Sequence, residues 1–326
     1  MIKHIYTAIL IVGLTRLVGG EFVPASEAMW PLPKSFAYVL QAENLGSSRA
    51  ETVRRLSTSN RDWIVIDRCF TGGNKGAWTA KEIQDIRAGR PGRAVLAYLS
   101  IGEAEDYREY WKKEWDADHD GHPDKRAPTW LCGENPEWKG NYKVRYWDDA
   151  WQRLILASVD AIVQAGFDGV YLDIVDGFEF FEYEPSTKTW IDDRLNPATG
   201  QTYRDDMRTW VGRLAAQARR TSPRFLVVPQ NGAQLLEKPS YVATLDAIGV
   251  ESLFTDGNRP QDSAHTQYVL GLIEHAKAAR KPVLLIEYGT KEAVVRRSRE
   301  GALKNGLVLL VTDSGLKTLG RDNADY

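Results

Sequence analysis

The chain has 326 residues, of which 43% are hydrophobic and 26% charged, with 42 Lys and Arg against 44 Asp and Glu. These proportions are typical of a globular protein and exclude a disordered, collagen-like or disulfide-stapled chain. The near-neutral balance argues against nucleic acid or an anionic membrane as the main partner. Eleven Trp and 14 Tyr are many for a plain scaffold, and such a surplus suits either a large core or flat, weakly polar ligands.

The amino-terminal residues predict export. Lys3 precedes a mostly apolar run, and small residues near position 28 suit a signal-peptidase site. We therefore predict a signal peptide over residues 1–28, a single domain over residues 29–326, and a secreted protein, extracellular or periplasmic, with no membrane contact beyond export. The alternatives are an uncleaved anchor or a buried first element.

The chain has two cysteines, Cys69 and Cys132. They would form one disulfide in an exported protein and remain thiols in a cytosolic one. The sequence leaves both states open.

Eight short apolar runs rich in β-branched residues alternate with amphipathic stretches. The predicted strands are residues 36–41, 63–68, 94–100, 169–173, 225–229, 248–253, 283–287 and 307–312. The predicted helices are residues 48–57, 79–88, 148–165, 203–220, 264–280 and 291–304. This alternation predicts an α/β fold of the (β/α)₈ TIM-barrel type with a short or absent last helix. An open doubly wound sheet is the alternative, but the chain lacks its glycine fingerprint.

The longest connection, residues 101–147 between the third and fourth predicted strands, is rich in aromatic residues. They are Tyr107, Tyr110, Trp111, Trp115, Trp130, Trp138, Tyr142, Tyr146 and Trp147. An insertion of this length is usually functional. It forms either a self-packed cap or a rim of stacking platforms for sugar rings, and the two are compatible.

Six of the predicted strands end near an acidic residue, and the chemistry of such a barrel lies at the carboxyl ends of its strands. The polar residues there are Gln41, Glu43, Asp67, Glu103, Glu105, Asp173, Asp176, Gln230, Asn231, Glu251, Glu287 and Asp313. No His or Lys lies at a strand end, which disfavours transition-metal hydrolases and Schiff-base aldolases. The chain also lacks a G-x-S-x-G elbow. What remains is catalysis by carboxyl groups.

Asp173 and Glu251 close the fourth and sixth predicted strands. Two carboxyl groups suffice to cleave a glycosidic bond: one protonates the leaving oxygen, and the other attacks the anomeric carbon or activates water. Strands two apart in a small barrel let both side chains face one substrate. A structural ion pair is the alternative role for either acid, and retention or inversion stays open.

Three blocks of sequence around these acids carry a family resemblance. They are AYLSIGEAEDYR at 97–108, NYKVRYW at 141–147 and GFDGVYLDIVD at 166–176. Over nearly all of residues 35–313 the chain resembles the endo-α-1,4-polygalactosaminidases of glycoside hydrolase family 114 and their secreted bacterial and archaeal relatives. The resemblance implies a (β/α)₈ barrel that hydrolyses α-1,4-linked galactosamine polymers. It places the catalytic acids at Asp173, as nucleophile, and Glu251, as acid/base.

The resemblance also implies that Glu103 and Asp176 shape the substrate site. Deacetylated galactosamine units carry ammonium groups, which an acidic rim attracts. The predicted substrate-binding residues are Asp67, Glu103, Asp176, Tyr38, Tyr98, Tyr146, Asn231 and Glu287. We expect a polysaccharide as the partner, no nucleic acid, a monomer, and no cofactor beyond the calcium alternative below.

One stretch of the insertion resembles half of a calcium loop. Asp116, Asp118 and Asp120 alternate and are followed by a glycine, with Asp124 as a further ligand candidate. The closing acid is absent, because Ala127 stands in its place. The stretch is therefore either a structural calcium site or a solvated acidic turn.

Other functions fit the same residues. One is a non-catalytic polysaccharide-binding barrel protein, and another is a hydrolase of a different glycan. A third is a metal-dependent barrel enzyme that uses the acidic rim for Mg²⁺ or Ca²⁺, which activity surviving chelation would exclude.

Overall fold

The computed structural model of the protein describes residues 30–72, 76–322 and 324, together with the backbone of four residues nearer the amino terminus. Contacts divide the chain into two compact units, Met1–Pro31 and Leu32–Tyr326. In the first unit, Leu17–Val18 and Glu21–Phe22 pair as antiparallel strands. The remainder of the predicted signal peptide, residues 1–28, lies outside the described residues.

Eight short strands form the centre of the second unit. They are β1 (Phe36–Val39), β2 (Trp63–Asp67), β3 (Ala94–Ser100), β4 (Gly169–Asp173), β5 (Leu226–Pro229), β6 (Ile248–Glu251), β7 (Val283–Glu287) and β8 (Val308–Val311). Each lies within one of the predicted apolar runs, so the strand predictions are confirmed. Val, Ile and Leu fill these strands because both faces of a parallel sheet are covered.

The strands form two parallel sheets. One joins β1 to β5 in chain order, and the other joins β6, β7 and β8. An isolated parallel bridge between Gln230 and Gly249 connects β5 with β6. Among the described residues no ladder joins β8 to β1. The fold is therefore α/β with parallel central sheets, and its hydrogen-bond ladders do not close into a ring.

Eight helices accompany the strands in the described residues. They are α1 (Arg49–Thr58), α2 (Ala80–Ala88), α3 (Asp149–Gln164), α4 (Phe178–Glu182), α5 (Tyr203–Thr221), α6 (Pro239–Thr244), α7 (Ser263–Ala278) and α8 (Glu292–Asn305). Short 3₁₀ segments span Ala42–Leu45, Lys113–Trp115, Val175–Gly177 and Ala233–Glu237.

Side chains fix where several helices begin. Thr79 and Glu82 form the capping box predicted for α2, and Asp148 accepts from the backbone N–H of Ala150 at the start of α3. Within the described residues no helix combines the length and apolar character that crossing a bilayer requires.

The insertion after β3 is a small domain-like cap. Its strands Glu103–Glu105, Asn141–Val144 and Leu131–Glu134 form an antiparallel sheet, with the second strand in the middle. Trp111, Trp115 and Trp130 pack edge to face at 5.2–5.3 Å between ring centroids. Tyr107 and Trp138 stay 42% and 60% exposed. Most of the aromatic residues therefore pack the cap, and these two leave rings open to solvent.

Candidate active site

The two acids that close β4 and β6 are connected by one amide. Gln230, directly after β5, donates from Nε2 to Asp173 Oδ1 at 3.0 Å and to Glu251 Oε2 at 2.8 Å. Because both oxygens accept from this one nitrogen, they lie less than about 6 Å apart. Gln230 is buried, whereas both acids keep some exposed surface. The strand order β4–β5–β6 thus brings the predicted pair together with a shared donor between them.

Asp173 lies against a tyrosine wall. Its Oδ2 accepts from the Tyr98 hydroxyl at 2.7 Å, and its Oδ1 also accepts from the backbone N–H of Ile174 at 2.9 Å. The ring of Tyr38 lies 6.4 Å from that of Tyr98 and 5.0 Å from that of Tyr171, centroid to centroid. Asp173 therefore has neutral donors only, in a largely apolar setting.

Glu251 is held in the same manner. Its Oε2 accepts from Asn231 Nδ2 at 3.3 Å, and its Oε1 accepts from the Tyr288 hydroxyl. Asn231 in turn accepts from the Glu251 backbone N–H at 3.1 Å. The side chain is thus fixed from two strand ends, those of β5 and β7.

The pKa values of this group are raised. Burial and then the Glu251 charge raise the pKa of Asp173 to about 7, and burial raises the pKa of Glu251. Burial, followed by the charges of Glu179 and Asp173, raises the pKa of Asp176 to about 8. Interacting carboxyl groups titrate as a coupled set, so these raised pKa values favour retention of protons within the group near neutral pH. One ionised and one protonated carboxyl group is the state that general acid catalysis requires.

Sharp turns follow three strand ends of the site. Ile174, Asn231 and Ser252 have φ of 55°, 58° and 51°. A β-branched residue such as Ile174 adopts this left-handed region at an energetic cost. Each turn directly follows a residue of the hydrogen-bonded group, so the backbone leaves the sheet immediately after that side chain is positioned.

Of the predicted binding residues, Tyr38, Tyr98, Asn231 and Asp176 lie around the pair. Four others lie inside the fold. Asp67 accepts from Arg108 Nη1 at 3.0 Å and Nη2 at 2.7 Å. Tyr146 donates to the Tyr203 carbonyl at 2.7 Å. Asp67 and Tyr146 are therefore buried and bonded to other parts of the fold, and the structure does not bring them to the pair.

The other two interior residues are acids. Glu287 is fully buried and accepts from the Phe254 backbone N–H at 2.8 Å and from the Thr255 hydroxyl. Glu103 is buried and accepts from Asn135 and Lys143. Glu287 therefore supports the loop after β6, and Glu103 belongs to a second group beside the pair.

Sequence reasoning missed three residues of the site. Gln230 was recognised only as a polar residue at a strand end, and Tyr288 follows the more conspicuous Glu287. Tyr171 lies on β4, where it reads as core, and its buried hydroxyl has no hydrogen-bond partner in the described residues. A Cβ at Gly249 would lie 1.9 Å from this hydroxyl, so the close approach requires glycine. The only available signal was alternation along the strand, which directs Tyr171 to the same face as Asp173.

The acidic turn of the insertion brings three of its four acids together. Ligand oxygens of Asp116, Asp118 and Asp120 lie within 4.8 Å of one another. Buried Asp116 accepts from the backbone N–H of Asp120 and Gly121 at 3.2 and 3.1 Å, and from the Tyr142 hydroxyl at 2.5 Å. Asp124 lies outside the group and accepts from a backbone N–H elsewhere in the turn. Both cysteines, Cys69 and Cys132, are free thiols.

An α/β fold with carboxyl groups gathered at the carboxyl ends of parallel strands is typical of glycoside hydrolases. Comparison with known families identifies one family of this class: the family model of Glycoside-hydrolase family GH114 matches residues 19–324. The chain therefore belongs to glycoside-hydrolase family GH114, which confirms the family predicted from sequence. As a glycoside hydrolase it acts on a polysaccharide substrate.

The chain is also similar to known proteins and solved structures. An uncharacterized protein of Deinococcus radiodurans is 35% identical over 281 residues, covering 86% of this chain and 81% of the relative. The glycoside hydrolase domain of PelA from Pseudomonas aeruginosa is similar in fold, with a TM-score of 0.59 at 19% identity over 89% of this chain and 98% of that one. Aspergillus fumigatus Ega3, in complex with galactosamine, has a TM-score of 0.59 at 17% identity over 89% and 95% of the two chains.

Proposed function

We propose that this chain is a secreted, endo-acting hydrolase of α-1,4-linked galactosamine-type polysaccharide, with Asp173 and Glu251 as its catalytic carboxyl pair. The observation that carries the proposal is the single amide of Gln230 that donates to both acids, at 3.0 and 2.8 Å. A shared donor fixes the separation between the two carboxyl groups. That arrangement is useful when both have to act on the same bond.

The spacing favours a retaining mechanism. Oxygens less than about 6 Å apart fit retaining glycosidases, whose two carboxyl groups lie about 5–5.5 Å apart, and fall below the separation of inverting enzymes, which leaves room for a water molecule. In our assignment Asp173 attacks the anomeric carbon while Glu251 protonates the leaving oxygen. Glu251 then removes a proton from water, and the water releases the sugar from Asp173.

The charge of the site supports a cationic substrate. Asp173, Asp176 and Glu251 have no basic hydrogen-bond or ion-pair partner among the described residues. An uncompensated acidic group attracts ammonium groups, most strongly at low salt. The galactosamine bound to Ega3 is consistent with an amino sugar as the substrate unit.

We also propose that the eight strands close into a (β/α)₈ barrel. Support comes from the bridge between β5 and β6 and from the chain after β8, where the Leu316 carbonyl accepts from the Leu40 backbone N–H at 3.0 Å, just beyond β1. The same proposal includes a monomer that requires no cofactor and is exported by residues 1–28. Amino-terminal sequencing of the mature protein tests the export signal, since cleavage after residue 28 gives a new terminus at Met29.

The decisive experiment measures product release from partially deacetylated α-1,4-galactosamine polymer. We expect wild type to cleave it, and Asp173→Asn and Glu251→Gln to lose at least about 10³-fold in kcat. Glu274→Gln on α7, which also converts an acid to an amide but at an exposed ion pair with Lys277, is the matched control and should stay within about twofold of wild type.

Azide separates the two roles. Azide should restore turnover of the Asp173→Gly variant, and the product should be a glycosyl azide of inverted configuration. Azide should also restore turnover of a Glu251→Ala variant, but there the glycosyl azide should have the retained configuration. A folded wild type that releases no product from this polymer would contradict the proposed substrate. Binding without cleavage would then indicate a polysaccharide-binding protein, and cleavage of another polymer would indicate a different glycan. Loss of activity on chelation would favour the metal-dependent alternative.

A further inference from the structure

An ammonium group of the protein itself lies beside the candidate active site. Lys143, in the strand Asn141–Val144, places Nζ 3.3 Å from Glu103 Oε1 and 5.1 Å from the centroid of the Phe180 ring. Glu103 is 1% exposed and Phe180 is 45% exposed. The ammonium is therefore held between a buried carboxylate and an open aromatic face, the usual pair of attractions for an organic cation.

The hydrogen bond from Lys143 leaves one oxygen of the Glu103 carboxylate without a donor among the described residues. Glu103 Oε1 accepts from Asn135 Nδ2 at 2.9 Å and, over the longer distance, from Lys143. Glu103 Oε2 is buried and has no hydrogen-bond partner in the described part of the chain. Leaving a buried carboxylate oxygen without a donor is unfavourable, and burial raises the pKa of Glu103. An ammonium with a second N–H directed at Oε2 would satisfy the site better than the lysine does.

Both walls of this site are attached to the catalytic elements. Gly102 packs so closely that a Cβ there would lie 2.1 Å from the carbonyl oxygen of Ile174, the residue after the proposed nucleophile. Phe180 lies one helical turn beyond Asp176, where the 3₁₀ segment Val175–Gly177 continues into α4. The ammonium of Lys143 is thus positioned next to the acidic group and not on a remote face.

We propose that Glu103, Asn135 and Phe180 form an ammonium-binding subsite for an amino-sugar unit of the polymer, and that Lys143 occupies this subsite in the free enzyme. The inference rests on the function proposed above. A sugar ammonium replaces the lysine ammonium, so Glu103 keeps a positive partner throughout. The apolar face of the sugar ring then packs on Phe180, and Lys143 moves its Nζ into water.

The exchange keeps the buried carboxylate compensated in the free enzyme as well as in the complex. A neutral sugar unit brings no charge to replace that of Lys143 and leaves Glu103 uncompensated when it displaces the lysine. The cationic unit therefore binds more tightly than the neutral one, by the free energy of compensating Glu103. Lys143 is in this sense a competitor that only a cationic unit displaces at low cost.

Calorimetric binding of a deacetylated galactosamine oligosaccharide in the Glu251→Gln background tests the proposal without hydrolysis. We expect Lys143→Met, which keeps the apolar stem, to lower Kd about tenfold, because the oligosaccharide then has no lysine ammonium to displace. Phe180→Ala should raise Kd about tenfold. Lys277→Met is the matched lysine control, since Lys277 is also ion-paired and partly exposed, and Trp190→Ala is the exposed aromatic control. Both controls should leave Kd unchanged.

An unchanged or raised Kd for a folded Lys143→Met would overturn the inference and make Lys143 a structural partner of Glu103. If that variant does not fold, Phe180→Ala decides, because a change at this exposed ring leaves the core intact, and an unchanged Kd there overturns the inference as well. Failure of the proposed hydrolysis is separate. Wild type that binds with these variant effects but releases no product loses the catalytic assignment and keeps the subsite.

Discussion

Two groups of acids stand near strand ends in this molecule, and they differ in what compensates their charge. Asp67 and Glu105 share Arg108, whose Nη2 lies 2.7 Å from Asp67 and whose Nε lies 2.6 Å from Glu105. All three side chains are buried. Asp173 and Glu251 instead share the amide of Gln230 and receive only neutral donors otherwise.

The difference separates architecture from chemistry. A buried acid paired with arginine has a counter-charge beside it, which suits a structural role. An acid held only by amides and hydroxyls has no fixed counter-charge, which suits a group whose protonation changes during a reaction. The four acids look alike in the sequence, and their partners are what distinguish the first pair from the pair that we propose to be catalytic.

Removing the compensating charge breaks the first group. We expect Arg108→Met to lower the free energy of unfolding by about 3–5 kcal/mol, because it leaves Asp67 and Glu105 buried without a counter-charge. Urea denaturation measures this. Combining Arg108→Met with Asp67→Asn and Glu105→Gln should restore most of the loss. A single variant as stable as wild type would contradict the structural role of the triad.

Removing the shared donor breaks the second group without touching either acid. We expect Gln230→Met to lower kcat about 100-fold, since the two carboxyl groups lose their common position. The acid limb of the pH profile of kcat/KM should move to higher pH, because loss of the donor raises the pKa of the pair. Gln217→Met is the control, as Gln217 donates to both oxygens of Asp160 at 2.8 and 3.0 Å on the helix side. Equal activity of the two variants would remove Gln230 from its positioning role.

The uncompensated pair should also appear in the pH dependence of stability. Because the pKa of Asp173 is raised from 3.8 to about 7, the native state binds this proton more tightly than the unfolded chain does. The native state therefore loses stability as pH rises from about 4 to about 7, and the loss is complete above that range. Asp173→Asn abolishes this dependence. Relative to wild type, it should gain on the order of 4 kcal/mol between pH 4 and pH 8, and parallel curves for the two proteins would count against a raised pKa.

The acidic turn shows a third way to hold a carboxylate and predicts the smallest effect. Asp116 is compensated by two backbone N–H groups and the Tyr142 hydroxyl, while Asp118 and Asp120 are exposed. We therefore favour the solvated turn over a calcium site. Chelation with EGTA should leave kcat unchanged and shift the unfolding temperature by less than about 1 °C. A larger drop that added calcium reverses would establish the metal site.

Local signals in the sequence were enough for the strands and the position of the pair. The apolar runs at β3, β4 and β7 predicted those strands to the residue, because a strand buried on both faces has no polar interruption. Asp173 and Glu251 were found because they end such runs. Helices α4 and α6 were not predicted from the sequence, because five and six residues are too few to show a helical period.

The partners of the acids could not be predicted in this way. Arg108 meets Asp67 from 41 positions along the chain, and nothing local marks that pairing. The position of Gln230 between the two acids depends on the register of three neighbouring strands. The spacing of residues along the sequence does not specify that register. The burial of Glu287 and Tyr146, predicted as binding residues, likewise depends on loops that fold over them.

The left-handed turns at Ile174, Asn231 and Ser252 bear on any attempt to move this chemistry to another protein. Each of these turns directly follows a residue of the proposed catalytic group, so the transferable unit is a strand end together with the left-handed turn after it. A design that copies Asp173, Gln230 and Glu251 onto relaxed loops would reproduce their identity and lose their direction. A recipient scaffold should therefore be one that tolerates the strain of three such left-handed turns along one edge of its sheet.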